Sequence, residues 1–491
     1  MSTTTHRRRA DGPTPTDIGP PPHHGDGTVL PQPAVPLPDG YVEHELFVAG
    51  TATRYTSADE PADGHWQATP AGEAPYRTRV LVRRPTDPAT FSGTVIVEWF
   101  NVSAIEASPD WAYLATEIGR AGHAYIGVSA QAQGVEGGAT LLEVDVDAEA
   151  ARATHAVTDT TGLRHIDPER YGTLTHPGDA YAFDIFTQVG RAAQGPGGER
   201  LLGDLHVTQV LAVGESQSAI FLSTVANALH PVTPAFDAFL VHSRGATVAP
   251  LDGDFTSVRT LDPAEVARRA VRIRTDLDVP VFVFEAETDL TLLAYAHARQ
   301  PDTDRIRTWE VAGTAHADRG LIGPVADSLD CGAPINDGPH GFAVRSALRH
   351  LDTWVRTGEA PPTMPQLEID ESGDSPAIAR DADGIALGGI RYPVVDVPVQ
   401  VLSGDPGPAP DIICLLTGTT NPMPAERLAE LYTSPDAYTA AFTAATDAAI
   451  ATGALLAEDR QAMQDEAQPE LLKPEQRSRQ VVSSVRRAVS P

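Results

Sequence analysis

The chain is poor in cysteine, and neither Cys331 nor Cys414 stands in a CxxC or other metal-ligand spacing. A cysteine-ligated metal centre therefore has no basis in this sequence. Without an export signal the simplest reading is two buried thiols, with a bridge tying the C-terminal region to the core as the alternative. Apolar runs of about 18 residues or more are also missing, so no segment is long enough to cross a membrane as a helix. No apolar stretch follows Arg7-Arg8-Arg9, so a secretory signal is not expected and cytoplasmic residence is the default. Basic residues are few: 36 Lys and Arg face 66 Asp and Glu, a net charge of −30. That balance disfavours nucleic acid and anionic membrane surfaces as partners. Lysine is nearly absent, which we read as compositional bias rather than chemistry.

What is present suits a large folded domain. The 491 residues are 41% hydrophobic, enough for a sizeable core. Residues 1–40 are Pro-rich and read as a mobile or extended tail; the adjacent His23-His24 within it are expected to be inert rather than a metal site. Residues 41–360 read as the core. Tyr41–Ala49 and Tyr76–Arg83 alternate apolar and polar residues, as half-exposed antiparallel strands do. Thr94–Phe100, Ala124–Val128, Phe236–His242, Val279–Glu285 and Arg305–Ala312 are more continuously apolar. Helical patterns over Asp110–Ala121, Asp179–Ala193 and His340–Arg356 alternate with them. An antiparallel start followed by alternating strands and helices describes an open, mostly parallel α/β sheet. Residues 243–278 interrupt this pattern, carry a helix near Pro263–Arg274, and stand where a lid insertion is expected. Residues 361–491 read as an extension packed on the core, with a hairpin or meander over Ile378–Val401 and helices over Ala425–Ala467.

The chemistry concentrates in HVTQVLAVGESQSAIFLSTVANALH, residues 206–230. An apolar strand runs into Gly214-Glu215-Ser216-Gln217-Ser218, and a helix follows at once, with Leu222, Val225, Ala226 and Leu229 on one stripe. A serine caught between such elements sits on a sharp turn that lifts its hydroxyl clear of the sheet. Gly214 meets the need for a very small residue two places before it. Ser218 stands where glycine is usual two places after, a departure from G-x-S-x-G.

An activated serine needs a base and an orienting acid, each supplied after a later strand in the order acid then histidine. Val279–Glu285 leads into Ala286-Glu287-Thr288-Asp289, where Asp289 is the favoured carboxylate and Glu287 its competitor. The next strand ends in Gly313-Thr314-Ala315-His316, 27 residues beyond Asp289 (316 − 289). His316 is the expected base, with His242, His297 and His340 as alternatives. The oxyanion hole requires two backbone N–H groups. Gln217 is the first, at the start of its helix, and Asn101 or its neighbour Phe100 is the candidate for the second.

Strand-GESQS-helix, FEAETD and WEVAGTAHAD together resemble the α/β-hydrolase superfamily. They are more closely similar to a bacterial group of "alpha/beta hydrolase domain" proteins. VIVEWFNVS, HPGDAYAFDIFTQ and GGIRYPVVDVPV extend the likeness over residues 40–470. The resemblance implies an α/β-hydrolase fold with helices on both faces of the sheet, and a Ser–Asp–His mechanism. The expected activity is hydrolysis of a small or medium-sized carboxylic ester through an acyl-enzyme, without metal or organic cofactor. Acyl transfer or amide cleavage by the same residues, or a non-catalytic binding protein of this fold, are the alternatives. Homo-oligomerisation is left open.

Overall fold

The computed structural model describes residues 12–138, 162–255, 263–373 and 375–472. Its centre is a nine-stranded sheet: β1 (Asp17–Gly19), β2 (Tyr41–Thr56), β3 (Thr69–Pro85), β4 (Thr94–Trp99), β5 (Ala124–Val128), β6 (Gln209–Glu215), β7 (Ala238–His242), β8 (Val281–Ala286) and β9 (Ile306–Val311). The spatial order is β1-β2-β3-β5-β4-β6-β7-β8-β9. Pairing is antiparallel from β1 to β5 and parallel from β5 to β9. Every residue of β4 through β9 is buried, which is why these strands are mostly apolar while β2 is mixed. After β4 the chain goes first to β5 on one side and then to β6 on the other. The crevice at the carboxyl ends of β4 and β6 is therefore a topological switch point, where open α/β sheets bind ligands.

Helices cover both faces. Helices α1 (Pro109–Ala121) and α4 (His340–Thr357) pack on one face, with α2 (Ala182–Gln194) and α3 (Gln217–Thr224) on the other. Glu98, an acid in the middle of a central strand, has a local reason to be there. Its carboxyl accepts the N–H groups of Asp110 and Trp111 at 3.1 and 2.8 Å and the Tyr125 hydroxyl at 2.7 Å. It thus caps the first turn of α1, whose own N-cap Ser108 offers no side-chain bond.

Three expectations change. The described part of the N-terminal segment holds a fixed place: β1 pairs with β2, Val29 is buried, and Asp26 N–H donates to Asp167 at 2.7 Å. His23 and His24 contribute backbone carbonyls to the Arg170 guanidinium, at 3.5 and 2.6 Å. Proline richness signals a shortage of core side chains; it does not reveal that another part of the chain supplies partners for the backbone. The hairpin or meander expected over Ile378–Val401 is found in its first part only. Arg380 pairs antiparallel with Ala386 around the turn at 381–385, Leu367 with Gly388 and Ile369–Asp370 with Ala377–Ile378. Pro393–Asp396 is instead a helical turn, and Gln400–Ser403 pairs with Thr419–Pro422. Cys331 and Cys414 are joined in a disulfide rather than standing as two thiols. Their pairing is set by a loop at Cys331 and a short helix, Ile412–Leu416, that meet only in the folded chain.

The helices expected beyond residue 425 are present as Ala425–Leu431, α5 (Pro435–Ala451) and Arg460–Asp465. Tyr392, Leu428, Tyr438 and Phe442 share one apolar cluster with α1 and α4. Of residues 243–278, the stretch 256–262 lies outside the described residues. The rest runs along α3, where Ala249 N–H meets Ile220 carbonyl at 3.4 Å and Phe255 packs edge-on against Phe221. Together with Trp66 it lines a cavity of ≈ 370 Å³.

The disulfide closes a span of 83 residues. Replacing either cysteine with serine is expected to lower the unfolding free energy by about 2–4 kcal/mol. The measurement is a shift of the denaturant midpoint to lower concentration; an unchanged midpoint contradicts it.

Candidate active site

Ser216 stands between β6 and α3 with φ 59° and ψ −123°. Positive φ is rare outside glycine and costs of order 1–3 kcal/mol, so the surroundings must impose it. Its N–H donates to His242 carbonyl at 2.9 Å, anchoring the turn to β7. A Cβ on Gly214 would come within 3.0 Å of the Ser218 backbone, so strand and helix leave room only for glycine there. Ser218 itself fits without exposure. The amphipathic stripe expected of α3 is not found, because every residue from Gln217 to His230 is buried. The polar side consists of Ser223, Thr224 and Asn227, which bond to the carbonyls of Ala219, Ala249 and Arg272. The last two acceptors lie in the insertion, so a face that reads as solvent-directed is covered by it. Past Thr224 the helix widens into a π-type turn, Val225–Leu229.

Register brings the other groups to the same edge. Glu215 lies opposite His242 across β6 and β7, and Ala286 lies opposite Val311 across β8 and β9. The loops that follow β6, β8 and β9 therefore leave the sheet side by side. His316 Nε2 is 2.8 Å from Ser216 Oγ, and His316 Nδ1 is 2.6 Å from Asp289 Oδ1. The other Asp289 oxygen accepts Ala286 N–H at 2.6 Å, which locks the carboxylate to the start of its own helical turn, Glu287–Thr291. Burial lowers the basicity of His316, but Asp289 and then Glu215 outweigh it and raise its pKa to about 9.

Glu287 points elsewhere. Two places apart on a helical turn, side chains diverge by about 200°. Glu287 accepts Gly313 N–H at 2.5 Å, Gly404 N–H at 2.9 Å and the Arg380 guanidinium at 2.7 Å. It ties the His316 loop to the C-terminal extension and makes no bond to His316. The same loop is fixed again where Ala317 N–H meets Leu416 carbonyl at 3.0 Å.

The alternative histidines are also placed. His242 Nδ1 is 2.9 Å from Asp110, and its Nε2 is 2.6 Å from His340 Nε2. His340 in turn donates from Nδ1 to Ala315 carbonyl at 3.0 Å and stacks on Tyr113. Burial holds both imidazoles down to about 3. They form a neutral prop beneath the His316 loop. His297 lies in a separate helical turn, Tyr295–Ala298.

The oxyanion expectation needs correction at its second member. Asn101 N–H is engaged by Ala107 carbonyl at 2.9 Å and Phe100 N–H by Val128 carbonyl at 3.0 Å. Asn101 serves the turn instead: its Nδ2 donates to Glu215 carbonyl at 3.1 Å. The neighbouring Val102 N–H faces only the Gln217 side-chain oxygen, at 3.3 Å. Gln217 opens α3, so its own N–H has no acceptor within the helix. Val102 was missed because the fold-back of the loop onto Ala107, which decides whose N–H stays unspent, leaves no mark in composition or spacing. Glu215 has no role assigned from the sequence, yet its Oε1 is 3.4 Å from His316 Nε2.

Among solved structures the chain is similar to a putative dienelactone hydrolase from Klebsiella pneumoniae. Identity is 11%, coverage is 63% of this chain and 99% of that one, and the TM-score is 0.30. A fungal esterase from Rhizomucor miehei shares 10% identity over 66% of this chain and 87% of its own, with TM-score 0.32. Acetyl xylan esterase 1 from Thermoanaerobacterium shares 10% over 63% and 92%, with TM-score 0.27. No curated protein matches the chain. A family model matches over residues 18–465, nearly the whole described length, and the strand–serine–helix turn with its histidine and acid lies inside that span. The fold is that of the α/β-hydrolases, and the chain belongs to the alpha/beta hydrolase domain family.

Proposed function

We propose that this protein is a serine hydrolase acting on carboxylic esters of small or medium-sized molecules. The observation that carries this reading is the 2.8 Å contact between Ser216 Oγ and His316 Nε2, with Asp289 on the opposite nitrogen. Ser216 attacks the ester carbonyl while His316 takes its proton, and Asp289 holds the imidazole in the tautomer that leaves Nε2 free. Negative charge develops on the carbonyl oxygen, within the field of the α3 N-terminus. The N–H groups of Gln217 and Val102 receive it, Val102 exchanging the Gln217 side chain for the oxyanion. His316 then protonates the departing alcohol. Water completes the cycle by releasing the acid from Ser216.

The insertion at 243–278 serves in this reading as a lid, since its described residues Ala249 and Phe255 pack on Ile220 and Phe221 of α3, the helix that starts at the nucleophile. The strong negative charge favours neutral or cationic esters over polyanionic ones. Cytoplasmic residence rested on the lack of an apolar export segment, and the Cys331–Cys414 bond counts against it, because oxidising compartments preserve such bonds.

Two measurements test the reading. Ser216→Ala is expected to lower kcat/KM for p-nitrophenyl acetate by about 10⁴-fold or more, with the circular dichroism spectrum unchanged. Activity within tenfold of the parent contradicts the nucleophile. For the base, only neutral imidazole accepts a proton, and His316 is raised above its ordinary 6.5. Activity is therefore expected to climb as pH increases, with a midpoint well above 6.5. A profile already flat at pH 6 contradicts the role of His316.

A further inference from the structure

The residue before the nucleophile carries a carboxyl whose one part in acylation is to raise the pKa of His316. Glu215 ends β6 with its side chain 5% exposed, and among the described residues the one cation paired with its carboxyl is His316. The nitrogen beside it already serves Ser216, so the carboxyl keeps acceptor capacity for a partner that arrives during turnover. Glu285, also buried, has no hydrogen bond to either carboxyl oxygen among the described residues, but Arg244 is its permanent countercharge. The cation that draws on Glu215 is His316, which changes its own charge in the reaction. Burial pushes the Glu215 carboxyl up to about 8, yet a carboxyl oxygen remains a hydrogen-bond acceptor whether or not the group is ionised.

Two oxygens converge on one nitrogen: Ser216 Oγ at 2.8 Å and Glu215 Oε1 at 3.4 Å from His316 Nε2. Once Ser216 is acylated, the attacking water must give a proton to that nitrogen, so it stands about 2.8 Å from it. An oxygen held beside the same nitrogen is then within reach of the water's other hydrogen.

We infer that Glu215 holds the water that releases the acyl group from Ser216, committing the enzyme to hydrolysis rather than to transfer onto another acceptor. The inference rests on the proposed role of Ser216. In this step the water oxygen bonds to the acyl carbon as one of its protons passes to His316 Nε2, while Glu215 Oε1 accepts a hydrogen bond from the other hydrogen. The tetrahedral intermediate then expels Ser216 Oγ, which recovers the proton from Nε2. The carboxylic acid leaves with the second hydrogen, and Glu215 is unchanged.

The test compares the parent with Glu215→Leu, which removes the acceptor, and Glu215→Gln, which keeps one oxygen. Each is mixed with p-nitrophenyl acetate, acid-quenched for mass spectrometry of the Ser216 peptide, and assayed with added methanol. At the plateau of each protein's own pH profile, where His316 is neutral, Glu215→Leu is expected to acylate at a rate within about threefold of the parent. It should release acetate about tenfold or more slowly, accumulate acetyl-Ser216 and divert a larger share of product to methyl acetate. Glu215→Gln should recover part of the release rate. Parental release by Glu215→Leu, an equal fall in both steps, or no acetyl-Ser216 in a variant that still folds overturns the role of Glu215. Loss of hydrolysis in Ser216→Ala alongside any of these leaves the nucleophile standing. Continued hydrolysis by Ser216→Ala removes the nucleophile and this inference together.

Discussion

Ser216 keeps its hydroxyl forward only because its backbone is held at positive φ, and most of the surrounding structure acts on that constraint. A strain of order 1–3 kcal/mol persists where neighbours over-determine the conformation. Here β6 lies between two parallel neighbours with no exposed residue, α3 is buried on every side, and Gly214 lets the two approach. Bonds on both sides of the turn, from Ser216 N–H to β7 and from Asn101 to Glu215 carbonyl, leave it no relaxed alternative. The same placement puts the first N–H of α3 beside the hydroxyl, so backbone strain, nucleophile and anion-binding end of the helix are one device.

Several of the acids of this strongly negative chain are buried at the carboxyl end of the sheet. Glu98 caps α1, Glu287 binds the histidine loop to the extension, and Asp289 orients the imidazole. Each has N–H or cationic partners that justify its burial. The extension is part of the same construction. Gly404, Arg380 and Leu416 all bond to the acid or histidine loops, and the disulfide lies two residues from Leu416. The site is therefore assembled by the core and the extension together, although serine, acid and histidine all come from the core.

Much of this was legible in the sequence because the central strands are buried on both faces and so announce themselves as apolar runs. Ala124–Val128 and the start of α4 at His340 fall where the pattern placed them. With parallel strands in register, residues just past the strand ends must meet, which made the order Ser216, Asp289, His316 informative. The rest depended on side-chain direction and loop return. Asp289 and Glu287 are equal as sequence; only their divergence around one helical turn separates them. Asn101 and Val102 are neighbours, and the one with an unspent N–H is decided by where the loop meets Ala107. The N-terminal segment and the disulfide were misread for a shared reason: their partners, Arg170 and Asp167 in one case and a loop 83 residues away in the other, are distant in sequence.

An activated hydroxyl reacts with electrophiles that ordinary serines ignore, and this separates a working site from a fold that merely preserves its outline. The most direct measurement is labelling of the intact protein with a fluorophosphonate probe, followed by peptide mapping, alongside Asp289→Asn. A single adduct is expected at Ser216, formed rapidly in the parent and at least about a hundredfold more slowly when the imidazole loses its orienting carboxylate. No adduct in the parent, an adduct at another serine, or equal rates in the two proteins would contradict it.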